Sequence, residues 1–533
     1  MSAELVAILD LETAWKRVKN DFDNRVFIRN PYSIDLVEFD LDRWLAKRQR
    51  ELSEDRYQPS SMFICDVPKP DGLIRPGAHL SFADRLIYAA CVGACLPAIH
   101  KALKWSQGTV DFSYQLAPSP ANVQWVKGSF TGWQDFRTRS IQCIEEGASY
   151  VIVADISAFY ENIHIQTLIS DLRGAGAPES AITQISICLH KWEQVGKGIP
   201  QGQTPSDILA KIYLNTIDQN LKNMGFIHLR YVDDIRVFCK TRAEATKALL
   251  TLARLLRKRG LNLQSAKSDI LRSDAARARF ENVAAVVKTV RIRFIEQVAR
   301  VTGGDPYMSL TEADEVLEQD PDEAPIEVIR QTYQTYFVER SAGFNVTLFR
   351  FLLARLGKQA DDFAAANCLE LLEPHPYATD TILRYLAAVG WREAAEAKLI
   401  ELLQPNPLAY DYQVYQITEW LRDSPTSPSE ELIARVLEIA FDSGSQRYLR
   451  GMCRAFLGKF GTSADLERMA DSYDETTDSS EKVEIICSLM RLERGRRNAF
   501  FGRVENDGEM HSQAVKWVKS TSGAIAVPGR SRV

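Results

Sequence analysis

Hydrophobic positions change period along this chain. In the first 60 residues apolar side chains recur at helical spacing on polar backgrounds, as in Trp15, Val18 and Phe22 or Leu41, Trp44 and Leu45, which predicts a helical N-terminal extension. From Phe63 to about Ser273, short β-branched runs alternate with helical stretches. Tyr150-Val151-Ile152-Val153-Ala154 is too short for a helix and rich in branched residues, so it predicts a strand. His228 to Tyr231 and Ile235 to Phe238 predict two strands around a tight Val232-Asp233-Asp234 turn. Just before this hairpin, Ile208 to Leu221 predicts an apolar helix. After it, Ala245, Ala248, Leu249, Leu252, Leu255 and Leu256 form one helical stripe that ends at Gly260, a favoured C-cap residue.

Beyond the acidic stretch Asp320-Pro321-Asp322-Glu323-Ala324-Pro325 the strand signals end. Helical segments with Pro, Gly and Ser punctuation run to about Arg494. Glu370-Leu371-Leu372-Glu373-Pro374-His375-Pro376 recurs 31 residues on as Glu401-Leu402-Leu403-Gln404-Pro405-Asn406-Pro407. Paired helices at that spacing suit a helical repeat of the HEAT-like kind, and an irregular helical bundle fits the same texture. The expected division is an extension over 1–60, a mixed α+β domain over 61–275, a connector over 276–325, an all-α helical-repeat domain over 326–500 and a flexible tail over 501–533.

Composition narrows the class. Hydrophobic residues make up 45% and charged residues 25%, which excludes wholesale disorder. No uninterrupted apolar run approaches the ~20 residues of a membrane span. The first ten residues carry acids and no basic n-region, and the nine cysteines include no CxxC pair, so a reducing cytoplasmic compartment without membrane contact is expected. The net charge of −5 hides an asymmetry. Residues 1–300 hold 40 Lys and Arg against 33 Asp and Glu, and residues 301–533 hold 25 against 37. A basic first part suits a polyanion, and an acidic second part suits other work.

The carboxylates carry the candidate chemistry. Asp155 directly follows the predicted strand, and Asp233 and Asp234 sit at the predicted hairpin tip. Taken singly, each is an ordinary solvated turn residue. Together they offer a cage for two Mg²⁺ ions, which favour a few carboxylates plus substrate phosphates and can clamp both attacking and leaving oxygens in phosphoryl transfer.

Gly198-Ile199-Pro200-Gln201-Gly202-Gln203-Thr204-Pro205-Ser206 supplies a Gly/Pro-punctuated loop between these carboxylates, and here the chain resembles the reverse transcriptases. Asp155-Ile156-Ser157-Ala158-Phe159-Tyr160 is similar to their first catalytic motif. Ile199-Pro200-Gln201-Gly202 is similar to their template and nucleotide loop, and Tyr231-Val232-Asp233-Asp234 to their YxDD motif. Lys69, Arg75-Pro76 and Asp84-Arg85 look like the fingers segment, and Leu261-Asn262-Leu263 with Lys267-Ser268 like the LxL…KT motif. Asp207 and Lys211 depart from the family pattern, where many relatives carry Pro and Asn.

The resemblance, which spans about residues 60–275, implies a right-hand fingers–palm domain with a small antiparallel sheet, DNA synthesis from dNTPs, and roles for individual residues. Asp155, Asp233 and Asp234 would be catalytic carboxylates, holding two Mg²⁺ ions (Mn²⁺ may substitute) with the backbone carbonyl of Ile156. Tyr160 would oppose a ribose 2′-OH and so select dNTPs. Lys69 and Arg75 would hold the triphosphate, Gln201 and Gly202 would approach nucleotide or template closely, and Lys267 would act on the pyrophosphate leaving group. Arg254, Arg257, Lys258 and Arg259 would track a nucleic-acid backbone or simply form a wet helix face.

With the helical second half, the motifs look most like the bacterial defence-associated and abortive-infection reverse transcriptases. That resemblance implies antiphage activity, a bacterial cytoplasmic setting, a DNA product, a non-coding RNA template or a protein primer among the 18 tyrosines, and a homo-oligomer. A retron-type or group II intron-type enzyme, and a degenerate polymerase fold serving as a nucleic-acid scaffold, remain as alternatives.

Overall fold

The computed structural model describes residues 2–521 apart from 25, 120–121, 128, 194, 281–325, 340–342, 405–409 and 425. It divides into two compact units. The first comprises Met1–Arg29, Asp40–Cys65 and Pro76–Glu281, and the second Asn30–Phe39, Asp66–Arg75 and Asn282–Val533. The expected connector lies almost wholly outside the described residues.

The first unit begins with helices α1 (Ser2–Ile8), α2 (Leu11–Asn24) and α4 (Leu41–Ser53); α3 (Ser33–Glu38) belongs to the second unit. Strands β1 (Phe63–Pro68) and β2 (Ile74–His79) form a two-stranded sheet. Helix α5 (Phe82–Leu103) follows, capped by the Ser81 hydroxyl accepting from the Asp84 amide. Taken over this whole helix, with its occasional polar residues, the apolar stretch is longer than the sequence reading allowed. Its 22 residues are long and apolar enough to cross a membrane, and most of them are buried inside the fold. A helix apolar on every side is one that packs on every side: α2 and the later helices Ile165–Ala175, Glu179–Trp192 and Thr204–Asn223 all lie against it.

Helix α6 (Ser129–Glu145) precedes β3 (Tyr150–Asp155). Then come α7 (Ile165–Ala175), α8 (Glu179–Trp192), α9 (Thr204–Asn223), β4 (Ile227–Tyr231), β5 (Asp234–Cys239), α10 (Arg242–Lys258) and β6 (Asp269–Arg272). The four longer-range strands form one antiparallel sheet in the order β4-β5-β3-β6. Val151 to Ala154 are buried on both faces, which is why the run is continuously apolar rather than alternating. One face carries Val151, Val153, Leu229 and Phe238 against Phe112, Phe136 and Phe280. The α10 stripe buries Ala245, Ala248, Leu252 and Leu256, and the helix ends at Gly260 with φ +76°.

The second unit is all helix in its described C-terminal part. Helices beginning at 346, 379, 411, 447, 479 and 509 each pack on the next in that series, while Arg392–Leu402 and Glu430–Phe441 form a second row. The spacing is close to the 31-residue offset seen in the sequence. The repeated Leu-Leu pairs have one reason: Leu371, Leu372 and Leu403 are buried at helix ends, and Leu402 nearly so. Pro405, Asn406 and Pro407 of the second copy lie outside the described residues. Within the expected tail over 501–533, helices Arg494–Val504 and Glu509–Thr521 bury Phe501, Val504, Ala514, Val515 and Val518, and residues 522–533 lie outside the described residues. Their apolar stripes are short and lie between Arg-rich and Ser-rich stretches, which hid them.

Candidate active site

The site is built where β3 ends beside the β4–β5 turn. Antiparallel register sets Asp155 opposite Asp234 and Tyr231 opposite Asp234 on the other side, leaving Val232 and Asp233 as a two-residue turn. Val232 has φ +56°, a conformation that costs a β-branched residue about 1–3 kcal/mol, and Ala158, three residues after Asp155, has φ +45°. Strain therefore gathers on both sides of the carboxylates. The Ile156 amide donates to the Asp233 carbonyl at 3.2 Å, tying the two segments together.

The Leu261-Asn262-Leu263 segment completes the edge. Ser157 N donates to Asn262 O at 2.9 Å and Gln264 N to Asp155 O at 2.8 Å. This pairing brings Lys267 alongside, with Nζ 3.7 Å from Asp155 Oδ2 and the lysine side chain 64% exposed. Burial pushes the Asp233 carboxyl up to about 6, helped by the neighbouring charges of Asp155 and Asp234 and opposed by Lys267. Asp234 is also raised, again chiefly by burial, with Arg236 pulling against it. Arg236 Nη2 lies 3.6 Å from Asp234 Oδ2, while Asp234 Oδ1 is buried without a hydrogen bond.

Among the described residues no group of three or more His, Cys, Asp or Glu side chains is arranged to hold a metal ion. Of the three carboxylates expected to hold metal, Asp234 is the one paired with a buried cation, Arg236. Asp155 and Asp233 remain a mutually repelling pair of acids beside a strained turn. Two such carboxylates fit a Mg²⁺ ion, which takes one or two protein acids and leaves its other positions to water and substrate phosphates. The unsatisfied Asp234 oxygen adds negative potential to the same place.

The other expected residues divide. Tyr160 is 7% exposed, and its hydroxyl donates to Asp207 Oδ1 at 2.6 Å. The two departures from the family pattern thus have buried partners, Asp207 with Tyr160 and Lys211 with Asp111 at 2.6 Å. Gln201 O accepts from Ala78 N at 2.9 Å, docking the loop on β2. Gly202 has φ +87°, and a Cβ there would lie 2.4 Å from Phe27 Cε2. The close approach the loop needs is therefore to the Phe27 ring. Lys69 and Arg75 belong to the segment Asp66–Arg75, which is grouped with the second unit. Of the basic cluster, Arg259 turns to Asp171 and lies over the Tyr213 ring, while Arg254, Arg257 and Lys258 stay exposed along α10.

Sequence reasoning missed the support beneath the turn. Arg230, Asp111, Asp218 and Lys211 are all buried and mutually paired. The available signal was Lys211 and Asp218 standing on a helix whose neighbours are apolar, since charges are rarely buried unless paired.

Comparison with known proteins agrees with this geometry. The family described as "Reverse transcriptase (RNA-dependent DNA polymerase)" matches residues 67–295. Protein YkfC of Escherichia coli (strain K12) is 26% identical over 192 residues, a match covering 34% of this chain and 45% of that protein, so the chain spans less than half of that relative's length. Among solved structures, apo telomerase from Candida tropicalis is matched at 13% identity over 64% of this chain and 69% of that one, with a TM-score of 0.31. Telomerase from Candida albicans in complex with a TWJ fragment of telomeric RNA is matched at 12% over 72% and 68%, with a TM-score of 0.30. The stretch that matches the reverse transcriptase family model contains the three carboxylates, Tyr160, the Gln201-Gly202 loop and Lys267. It runs past the expected boundary at 275.

Proposed function

We propose that this chain is a DNA polymerase of the reverse-transcriptase type, adding dNTPs to a 3′-OH or a protein hydroxyl, and that it serves bacterial antiphage defence. The observation that carries the polymerase reading is the pairing of Asp155 with the Asp233 turn inside the matched domain. Asp155 and Asp233, with the Ile156 carbonyl, would hold two divalent cations, Mg²⁺ or Mn²⁺. Such ions, when bound, offset the charge that develops on the phosphate oxygens. Asp234, paired with Arg236, shapes the potential around them. Lys267, on the exposed side of Asp155, is placed to neutralise or protonate departing pyrophosphate. Tyr160, pinned by Asp207, is a ring held in one position, as discrimination against a 2′-OH requires. Lys69 and Arg75 are assigned the triphosphate on the motif alone.

The defence role rests on the union of such a domain with a stacked helical, HEAT-like unit, an analogy of architecture. That unit is acidic. Three of its four arginines at 491, 494, 496 and 497 are engaged: Arg491 with the Lys459 and Gly461 carbonyls, Arg496 with Glu467, and Arg497 with the Met490 carbonyl. This favours protein partners or self-assembly over non-specific nucleic-acid binding. Purified full-length protein incubated with labelled dNTPs and Mg²⁺, with and without RNA template, tests the chemistry. Plaque counts on cells expressing wild type or Asp155→Asn test the biology, and equal phage growth in both removes the defence reading.

A further inference from the structure

The β4–β5 turn is held from below by a buried ionic cluster. Arg230, 1% exposed, places its guanidinium between two acids. Nε and Nη2 donate to Asp218, Nη2 also to Asp111 Oδ2 at 2.9 Å, and Nη1 to the Val232 carbonyl at 3.2 Å. Asp111 is fixed in turn by Lys211 Nζ at 2.6 Å and by the Ser113 amide and hydroxyl at 3.0 and 2.6 Å. His228 Nε2 lies 3.4 Å from Asp218 Oδ1. The backbone joins the arrangement: Arg230 N donates to Val110 O at 2.7 Å, and Phe112 N to Arg230 O at 3.0 Å.

Two acids and two cations balance, which is what lets such a cluster stay buried, yet a cluster of this kind adds little net stability over apolar packing. Its geometric output is the hydrogen bond to Val232 O. That carbonyl belongs to the peptide whose N–H is the Asp233 amide, and in a planar trans peptide the two point to opposite sides. The Asp233 side chain leaves the Cα that directly follows this peptide. Fixing the Val232 carbonyl therefore fixes the plane from which the Asp233 carboxylate is aimed. Val232 at φ +56° would otherwise relax toward negative φ and swing that plane.

We infer that Arg230, backed by Asp111, Asp218 and Lys211, is a positioning residue that clamps the strained Val232–Asp233 peptide and thereby aims the Asp233 carboxylate. A lysine cannot replace it, since one ammonium cannot serve two acids and a carbonyl with a planar fork. The inference rests on the polymerase reading for its activity arm only.

Arg230→Lys, Val232→Gly and their double variant are compared in the full-length protein, with Asp218→Asn replacing Arg230→Lys should that variant not fold. Hydrogen exchange over peptides spanning 227–239 and Ile156 reads the clamp without any assay of activity. The Mg²⁺ concentration for half-maximal dNTP incorporation, kcat and dNTP KM read its consequence. Arg230→Lys is expected to speed exchange in the turn, raise the Mg²⁺ requirement several-fold and lower kcat at least tenfold with KM little changed. Because glycine takes positive φ freely, the same loss is expected to be smaller in the Val232→Gly background. Equal losses in both backgrounds, with unchanged turn exchange and Mg²⁺ requirement and only a lower Tm, would overturn the clamp. An inactive wild type would instead remove the polymerase reading, and turn exchange alone then decides the clamp.

Discussion

Asp155 and Asp234 face each other as register partners across β3 and β5, yet they have different neighbours: Asp155 has Lys267 Nζ at 3.7 Å, and Asp234 has Arg236 Nη2 at 3.6 Å. Arg236 is itself enclosed, 4.0 Å above the Phe136 ring and 3.8 Å above the Phe280 ring, and donates to the Ser140 hydroxyl. One acid therefore faces an exposed cation and the other a buried one. Under the proposed function, this asymmetry separates the carboxylate that meets substrate from the one that shapes the field.

Its first consequence is a split between the two acids. Asp155→Asn and Asp234→Asn are nearly equal in volume change, but Asp155→Asn should abolish incorporation with Tm little altered. Asp234→Asn should leave measurable activity and lower Tm, because it removes the charge that Arg236 was buried against. Melting curves beside incorporation assays separate these outcomes, and equal loss of activity in both contradicts the split.

A pH dependence follows from Asp233. Its carboxyl is raised to about 6, above the ordinary unfolded value, so the folded state holds this proton more tightly. The stability it contributes is fully present below about pH 4 and is lost as pH rises through 6, by about 3 kcal/mol. A divalent cation reverses the sign by favouring the charged form. The rise in Tm on adding Mg²⁺ should therefore be larger at pH 8 than at pH 5, as read by differential scanning fluorimetry. A Mg²⁺ effect equal at both pH values contradicts this.

Tyr160 has two separable parts. Tyr160→Phe keeps the ring but removes one hydrogen bond to the buried Asp207, at a cost of about 1–3 kcal/mol. Tm should fall while the preference for dATP over ATP holds. Tyr160→Ala removes the ring and should relax that preference as well. Competition between the two nucleotides checks both, and an unchanged preference in Tyr160→Ala makes Tyr160 a core residue only.

Much of this was legible in the sequence. The Val151–Ala154 run and the Arg230-Tyr231-Val232-Asp233-Asp234 hairpin announce themselves because strand burial and turn chemistry are local, while the Leu261–Lys267 segment is picked out only by its resemblance to a family motif. What stayed hidden depends on partners distant in the chain. Nothing near residue 30 shows that Asn30 bonds to Glu484, that Leu36 O accepts from Gln513 at 2.7 Å, or that Tyr32 meets the Trp517 ring at 5.8 Å. The Gly202 side was hidden likewise, since its neighbour Phe27 lies far upstream.

Those distant partners predict how the chain responds to cutting. Segments 30–39 and 66–75 find their packing in the second unit, so removing residues after 281 strips them of it. The shortened chain should melt lower and be cut by protease within those two segments first, and a truncated protein with full stability contradicts the division.

The Gly202 contact gives an independent check on the loop. Gly202→Ala puts a Cβ into the Phe27 ring at a positive φ and should cost about 2–4 kcal/mol. Phe27→Ala in the same chain should recover the steric part only. Urea midpoints measure both, and a neutral Gly202→Ala contradicts the packing.

The central claim is that Asp155 and Asp233 form the reacting centre of a DNA polymerase. Its most direct measurement is incorporation of labelled dNTPs by purified full-length protein in Mg²⁺, run beside Asp155→Asn and Asp233→Asn variants whose melting curves match the wild type. The account predicts extension products from the wild type and none from either variant. Products from either variant at the wild-type rate, or none from any of the three with or without template, would contradict it.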